Sequence, residues 1–168
     1  LGYFIEASGG QPFEWARVAL TPEGRAKVTV GTHSHGQGHE TAFAQVLSDK
    51  LGIPFDKVDL IQGDTNVVEK GAGTGGSRSS QMGGVAVTRA AGLVLEKGRR
   101  IAAHLLEAGV ADIEFAQGCF SVAGTDLAVT WDRVIAAAQD PAQLPEGEAP
   151  GLDEQLVYRR DTECNFPN

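Results

Sequence analysis

At 168 residues, 42% hydrophobic and 21% charged, the chain has the size and composition of one globular domain able to bury its own core, which argues against gross disorder. Fourteen basic against twenty-two acidic residues leave a net charge of −8, which argues against a nonspecific nucleic-acid binder because such binding neutralises phosphates with Lys and Arg. Any phosphate bound here has to be held locally.

In chain order, the first thirty residues predict strands in GYFIEAS, FEWARVALT and RAKVTVGT, the last two joined by a turn at Pro22 to Gly24. The polar segment HSHGQGH then leads into a helix over ETAFAQVLSDKLG, with Ala44, Val46, Leu47 and Leu51 on one face and Gly52 and Pro54 ending it. KVDLIQGD reads as a strand. The glycine-dense KGAGTGGSRSSQMGG follows, opening a second long helix over roughly Gly84 to Leu106. The remainder predicts a strand pair, IEFAQGCFSVAG and LAVTW, a short helix at WDRVIAAAQ, and a flexible surface loop at about 141–152. The resulting class is α+β: a mixed, largely antiparallel sheet packed against two main helices, in a single domain over 1–168.

Cys119 and Cys164 have no CxxC spacing, so neither an iron–sulfur cluster nor a structural zinc is read from them, and a reducing compartment is expected. No apolar run approaches the roughly 18 to 20 residues that span a bilayer, and the start has no basic n-region, so the expectation is a cytoplasmic protein without membrane contact. The start without Met and the ending YRRDTECNFPN predict a fragment or excised domain rather than a complete gene product.

Two loops carry the chemistry, Gly31 to His39 and Gly71 to Ser80, each placed before a helix. A helix N-terminus offers unpaired backbone N–H groups and a partial positive charge, and glycines let an anion come close. In the first loop Gly36, Gln37 and Gly38 expose main-chain amides, the Gln37 amide can donate and accept as a heterocycle edge requires, and His39 adds a donor. In the second, Gly75 and Gly76 permit close approach, Ser77, Ser79 and Ser80 supply hydroxyls, and Arg78 is expected to pair a phosphate bidentately. Either loop alone is equally well read as a tight turn; the two together favour binding. Residues 71–76 match GxGxxG, but the strand ends too early and no βαβ crossover is read, which weighs against a dinucleotide-binding Rossmann site. His33, His35 and His39 with Glu40 suggest a metal only weakly, and Asp64 and Glu69 do not define an acid–base pair, so no metal ligand and no catalytic residue is assigned.

GTHSHGQGHETAFAQVLSDKLGIPFDKVDLIQGDT followed by GAGTGGSRSSQMGG resembles the molybdopterin-binding large subunit of the xanthine dehydrogenase, aldehyde oxidase and carbon monoxide dehydrogenase family, strongly from Val28 to about Arg100. The resemblance implies that Gly36, Gln37, Gly38 and His39 lie near a pterin and its phosphates, and that Gly76, Ser77, Arg78 and Ser79 surround the dinucleotide extension. It implies a molybdenum–molybdopterin cofactor in the cytosine dinucleotide form, partner segments of the same large subunit, and FAD and 2Fe-2S clusters on partner subunits or domains. Gly75 stands where many relatives carry an aromatic residue, and the family's catalytic glutamate and substrate-facing loop have no counterpart in these residues. The chain alone is therefore expected to be inactive. The alternatives are a noncatalytic module that binds no cofactor by itself and, behind it, a phosphate-ester enzyme or nucleotide-binding protein using a divalent metal.

Overall fold

The computed structural model describes residues 1–4 and 8–160. Its larger sheet is built on β1 (Phe13–Leu20), where alternation puts Glu14, Ala16, Val18 and Leu20 on the inward face. A turn in which Gly24 adopts positive φ returns the chain antiparallel as β2 (Ala26–Val30), with Ala26, Val28 and Val30 facing the same way. Helix α1 (His39–Leu51) then crosses over to β3 (Val58–Ile61), which runs parallel to β2. The outer edge on the other side is β7 (Leu152–Arg159), antiparallel to β1 along its whole length, so the strand order is β3-β2-β1-β7.

Two features correct the expectations. The β2–α1–β3 segment is a βαβ crossover, and it carries the first polar loop rather than Gly71 to Gly76. β7 has no counterpart in the sequence reading, because its inward face of Leu152, Glu154, Leu156 and Tyr158 is only partly apolar and half-buried beyond Leu152. Glu154 is tolerated there because Lys97 of the long helix comes within 3.5 Å of it. The remaining strands and helices lie where the pattern puts them, except that Phe43 and not Val46 completes the buried face of α1. Of the strand expected over GYFIEAS, Gly2 to Phe4 and Ser8 carry no strand and 5–7 lie outside the described residues, as do 161–168 of the ending, Cys164 included.

Helix α2 (Val85–Leu105) is preceded without a break by a π-helical turn, Ser79–Gly84, and lies across β1 and β7. Its buried stripe is rich in small residues, with Ala86, Ala90, Ala91, Gly98 and Ala102 letting the backbone approach the sheet and its neighbours. At its C-terminal half sits a second, antiparallel sheet of β4 (Ile113–Ala116), β5 (Cys119–Val122) and β6 (Ala128–Thr130), followed by α3 (Trp131–Ala138). Phe115, Phe120 and Trp131 form an aromatic cluster there, with the Phe120 and Trp131 rings 4.8 Å apart and edge-on. The Trp131 indole also donates to the Leu51 carbonyl at 2.6 Å, satisfying the C-terminus of α1.

Gly98 is the point where α2 meets this cluster. A Cβ added there would lie 2.6 Å from two ring carbons of Trp131 and 3.0 Å from Phe120. In an exposed helix, Gly to Ala gains about 1 kcal/mol, whereas overpacking costs about 1–3 kcal/mol. We expect Gly98→Ala to lose about 1–2 kcal/mol in chemical denaturation; a more stable variant would show that the cluster yields.

Candidate functional site

The glycine-rich loops meet at their first residues. A Cβ at Gly31 would lie 2.3 Å from Glu14 Oε1, 2.4 Å from the Lys70 carbonyl and 2.6 Å from Gly71 Cα, and a Cβ at Gly71 would lie 2.5 Å from the Gly31 carbonyl. Only glycine fits on either side of this contact, since the obstacles are backbone and a buried carboxylate. Further out, Thr74 Oγ1 accepts from the His33 backbone N–H at 3.1 Å, donates to the His33 carbonyl, and lies 2.9 Å from Ser79 Oγ. Gly83 seats the start of the long helix against the first loop, its Cβ position 2.9 Å from Thr32 Cγ2 and 3.3 Å from Phe43.

Between the loops lies a cavity of about 440 Å³, lined by Gln37, His39, Thr74, Gly75, Ser77, Arg78, Ser79 and Ser80, with Ala42, Phe43 and Val46 of α1 forming an apolar wall. Two helical N-termini open onto it. The cap of α1 is Gly38, at φ 74°, and no side chain caps the first turn; the π-helical turn that begins at Ser79 likewise has no side-chain cap. Backbone donors and the positive ends of two helix dipoles therefore face one space, the arrangement an anion requires. Cβ atoms at Gly36, Gly38, Gly73 and Gly75 would meet nothing within 4 Å, so the backbone there is uncovered.

Of the eight residues singled out from the sequence, Gln37, His39, Ser77, Arg78 and Ser79 line the cavity, and Gly36, Gly38 and Gly76 shape its edges through positive φ angles of 100°, 74° and 57°. Ser77 also takes a left-handed conformation, at φ 53°. Gln37 Oε1 accepts from the His35 N–H, closing the first loop on itself. His39 is buried, tilted against Phe43 at 5.3 Å, and its Nδ1 lies 3.2–3.3 Å from the Gln62 amide, whose Nε2 donates to Thr32 Oγ1 at 2.9 Å. His33 and His35 stack edge-on outside the cavity lining, ring centroids 4.8 Å apart. Asp64 accepts from the Asn66 N–H at 2.9 Å and from its side chain at 3.1 Å, which makes it a turn-stabilising residue.

Arg78 departs from the expectation of bidentate phosphate pairing. Its guanidinium turns inward and is 2% exposed, Nη1 donating to Glu14 Oε2 at 2.7 Å and to the Gly73 carbonyl at 2.8 Å, and Nη2 donating to the Phe13 carbonyl. Both terminal nitrogens are committed, Nε is buried without a hydrogen-bond partner, and the Arg78 backbone N–H donates to the Gly75 carbonyl at 3.3 Å, so the polar side chains that the second loop turns to the cavity are its serines. Glu14 is wholly buried on β1, and it also accepts from the Trp15 N–H at 3.0 Å. Burial pushes its carboxyl above the usual range, and Arg78 together with the Trp15 and Gly31 backbone N–H groups opposes that rise.

Glu14, Gln62 and Thr74 were not found by inspection of the sequence. Glu14 had a usable signal, because the face that carries Ala16, Val18 and Leu20 also carries Glu14, and an acid in an inward register demands a partner. Gln62 and Thr74 had none, since the partners that tie them to the first loop, Thr32, His39 and His33, are 23 to 41 residues away in sequence. Removing the charge of Glu14 strands a buried guanidinium, so Glu14→Gln is expected to cost about 3–5 kcal/mol in urea unfolding. Gly31→Ala is expected to destabilise the fold by at least about 2 kcal/mol, although alanine is the smallest possible change; an unaltered midpoint would mean that the two loops separate freely.

The comparisons agree with this geometry. The sequence model of the family described as "Molybdopterin cofactor-binding domain" matches residues 1–167. The 6-hydroxypseudooxynicotine dehydrogenase complex subunit gamma of Paenarthrobacter nicotinovorans is 37% identical over 168 residues, covering 99% of this chain and 21% of that protein. The carbon monoxide dehydrogenase large chain of Hydrogenophaga pseudoflava is 38% identical over 146 residues, 87% of this chain and 18% of that one. Among solved structures, reconstituted CO dehydrogenase from Oligotropha carboxidovorans superposes with a TM-score of 0.87 at 33% identity, over 95% of this chain and 21% of its own. Quinoline 2-oxidoreductase from Pseudomonas putida 86 gives 0.84 at 32% identity, over 94% and 22%. The chain spans about a fifth of the length of the curated relatives it matches. It belongs to the molybdopterin cofactor-binding domain family.

Proposed function

We propose that this chain is the cofactor-holding portion of a molybdenum hydroxylase of the xanthine, aldehyde and CO dehydrogenase type, and that its two loops grip the pterin and the phosphates of a cytosine dinucleotide extension. The observation that carries the reading is the convergence of two uncapped helical N-termini on one cavity of about 440 Å³. The donor set fits such a group: a phosphate finds backbone N–H groups of the first loop at Gly36 to His39 and the Ser77, Ser79 and Ser80 residues of the second, and a heterocycle finds the Gln37 amide and the apolar wall of α1. Arg78 serves the site from behind, by holding the second loop in place.

When bound, the molybdenum group supplies the redox chemistry, and the protein's share is orientation and preorganised hydrogen bonding. His39 is held by Gln62 so that its ring is fixed against Phe43 at the mouth of the first loop. Ser79 is oriented by Thr74, whose other contact is His33, so a ligand seated on one loop is positioned relative to the other. In the complete enzyme this portion works with the remaining segments of the large subunit and with iron–sulfur and FAD subunits, in the cytoplasm, and the chain by itself turns over no substrate. The relatives named as a dehydrogenase complex subunit and as a dehydrogenase large chain support that assembly.

Titrating the 168-residue chain with cytidine diphosphate, which resembles the dinucleotide end of the cofactor, tests the reading by backbone amide NMR. Shifts are expected to concentrate at Gly36 to His39 and Gly75 to Ser80. A well-dispersed spectrum in which those amides stay still would favour a noncatalytic module instead.

A further inference from the structure

We propose that Glu14, a β1 residue outside both loops, is the positioning residue of the site: through Arg78 and Gly31 it sets where the two loops stand relative to each other, and so sets the affinity for the phosphate-bearing ligand. The inference rests on the cofactor reading for its ligand and on geometry alone for its mechanism.

Glu14 touches both loops with separate oxygens. Oε2 accepts from Arg78, 64 residues away, while Oε1 accepts from the Trp15 N–H and stands 2.3 Å from the Cβ position of Gly31. The guanidinium continues the chain of contacts, from Glu14 into the Gly73 carbonyl of its own loop and back to the Phe13 carbonyl of β1. Arg78 is thus tied to the sheet at two points and to its loop at one. Both charges are out of water, at 0% and 2% exposure, so the pair is stiff and little weakened by salt. A buried ion pair is poor evidence for stability, because well-packed apolar residues replace such pairs at little cost; what the pair adds here is a defined geometry. Serines 77 and 79, on either side of Arg78, face the cavity. Any shift of the arginine therefore moves the hydroxyls and N–H groups that flank it, and displacement by about 1 Å in a preorganised site is enough to lower affinity markedly.

The decisive variant is the double substitution Glu14→Met with Arg78→Met, which removes the pair without stranding either charge and so avoids the destabilisation expected of the single variants. Two readouts are taken beside urea unfolding: the nuclear Overhauser contact between the α-protons of Gly31 and Gly71, without ligand, and the dissociation constant for cytidine diphosphate. We expect a near-native unfolding midpoint, a weakened Gly31–Gly71 contact, and affinity lowered about tenfold or more. An unchanged contact would overturn the proposal, as would a weakened contact with unchanged affinity, since Glu14 would then place loops that do not matter for binding. If the wild-type chain gives no binding while the contact still weakens, the loop-placing role of Glu14 is upheld and the cofactor reading fails. If the double variant does not fold, Glu14→Asp, which keeps the charge but shortens its reach, decides the matter: a shifted contact at unchanged core amide shifts supports the proposal, and an unshifted one overturns it.

Discussion

Two charges buried side by side, Glu14 on β1 and Arg78 in the second loop, organise everything around the cavity. An arginine placed in the interior needs partners for its charge, and here the sheet supplies a carboxylate and a carbonyl to the terminal nitrogens while the loop supplies another carbonyl, with Nε left buried and unpaired. The consequence is a glycine-rich segment, intrinsically the most mobile kind of chain, pinned to the most rigid element of the fold. The first loop is pinned by a different means: Gly31 ends β2 and presses against Gly71 so closely that backbone meets backbone. These loops are tethered where they leave the core, while at their tips Gly36, Gly38, Gly73 and Gly75 leave open space where a Cβ would stand.

The rest of the architecture serves that junction. The βαβ crossover brings the N-terminus of α1 to the same end of the sheet as the π-helical turn that begins the long helix, and parallel pairing of β2 with β3 is what requires the crossover. The π-helical turn includes Gly83, which nestles against Thr32 and Phe43 where a larger residue would collide. The aromatic cluster and the second sheet lie at the other end of α2, about 20 Å from its start if Gly98 is taken as the point of contact, 14 residues beyond Gly84. They hold the long helix at one end, while its N-terminal end borders the cavity. Aromatic packing thus lies toward one end of the helix and the polar loops lie at the other.

The chain belongs to the molybdopterin cofactor-binding domain family, and in the solved relatives it superposes on roughly a fifth of a much larger chain. Among the described residues no helix is long and apolar enough to cross a membrane.

Local patterning was enough for the element types, since alternation in FEWARVAL and AKVTV and the helical spacing of α1 and α2 depend on neighbours a few residues apart. It was also enough to mark both loops, because glycines before a helix have a meaning independent of the fold. Tertiary structure alone decided the rest. β7 becomes a strand because β1 offers it an edge, a partner more than a hundred residues earlier. β3 lies parallel to β2 because α1 carries the chain back over the sheet, which no local signal specifies. Arg78 illustrates the limit most plainly: its sequence context, between two serines after a glycine run, describes a phosphate ligand, yet its direction is settled by an acid on a distant strand, since a buried carboxylate is a stronger claim on a guanidinium than open solvent is. The sequence by itself marked the two glycine-rich segments that precede helices; only the folded arrangement decided which of their groups line the cavity and which tie the loops to the sheet, because that choice depends on contacts 64 residues apart.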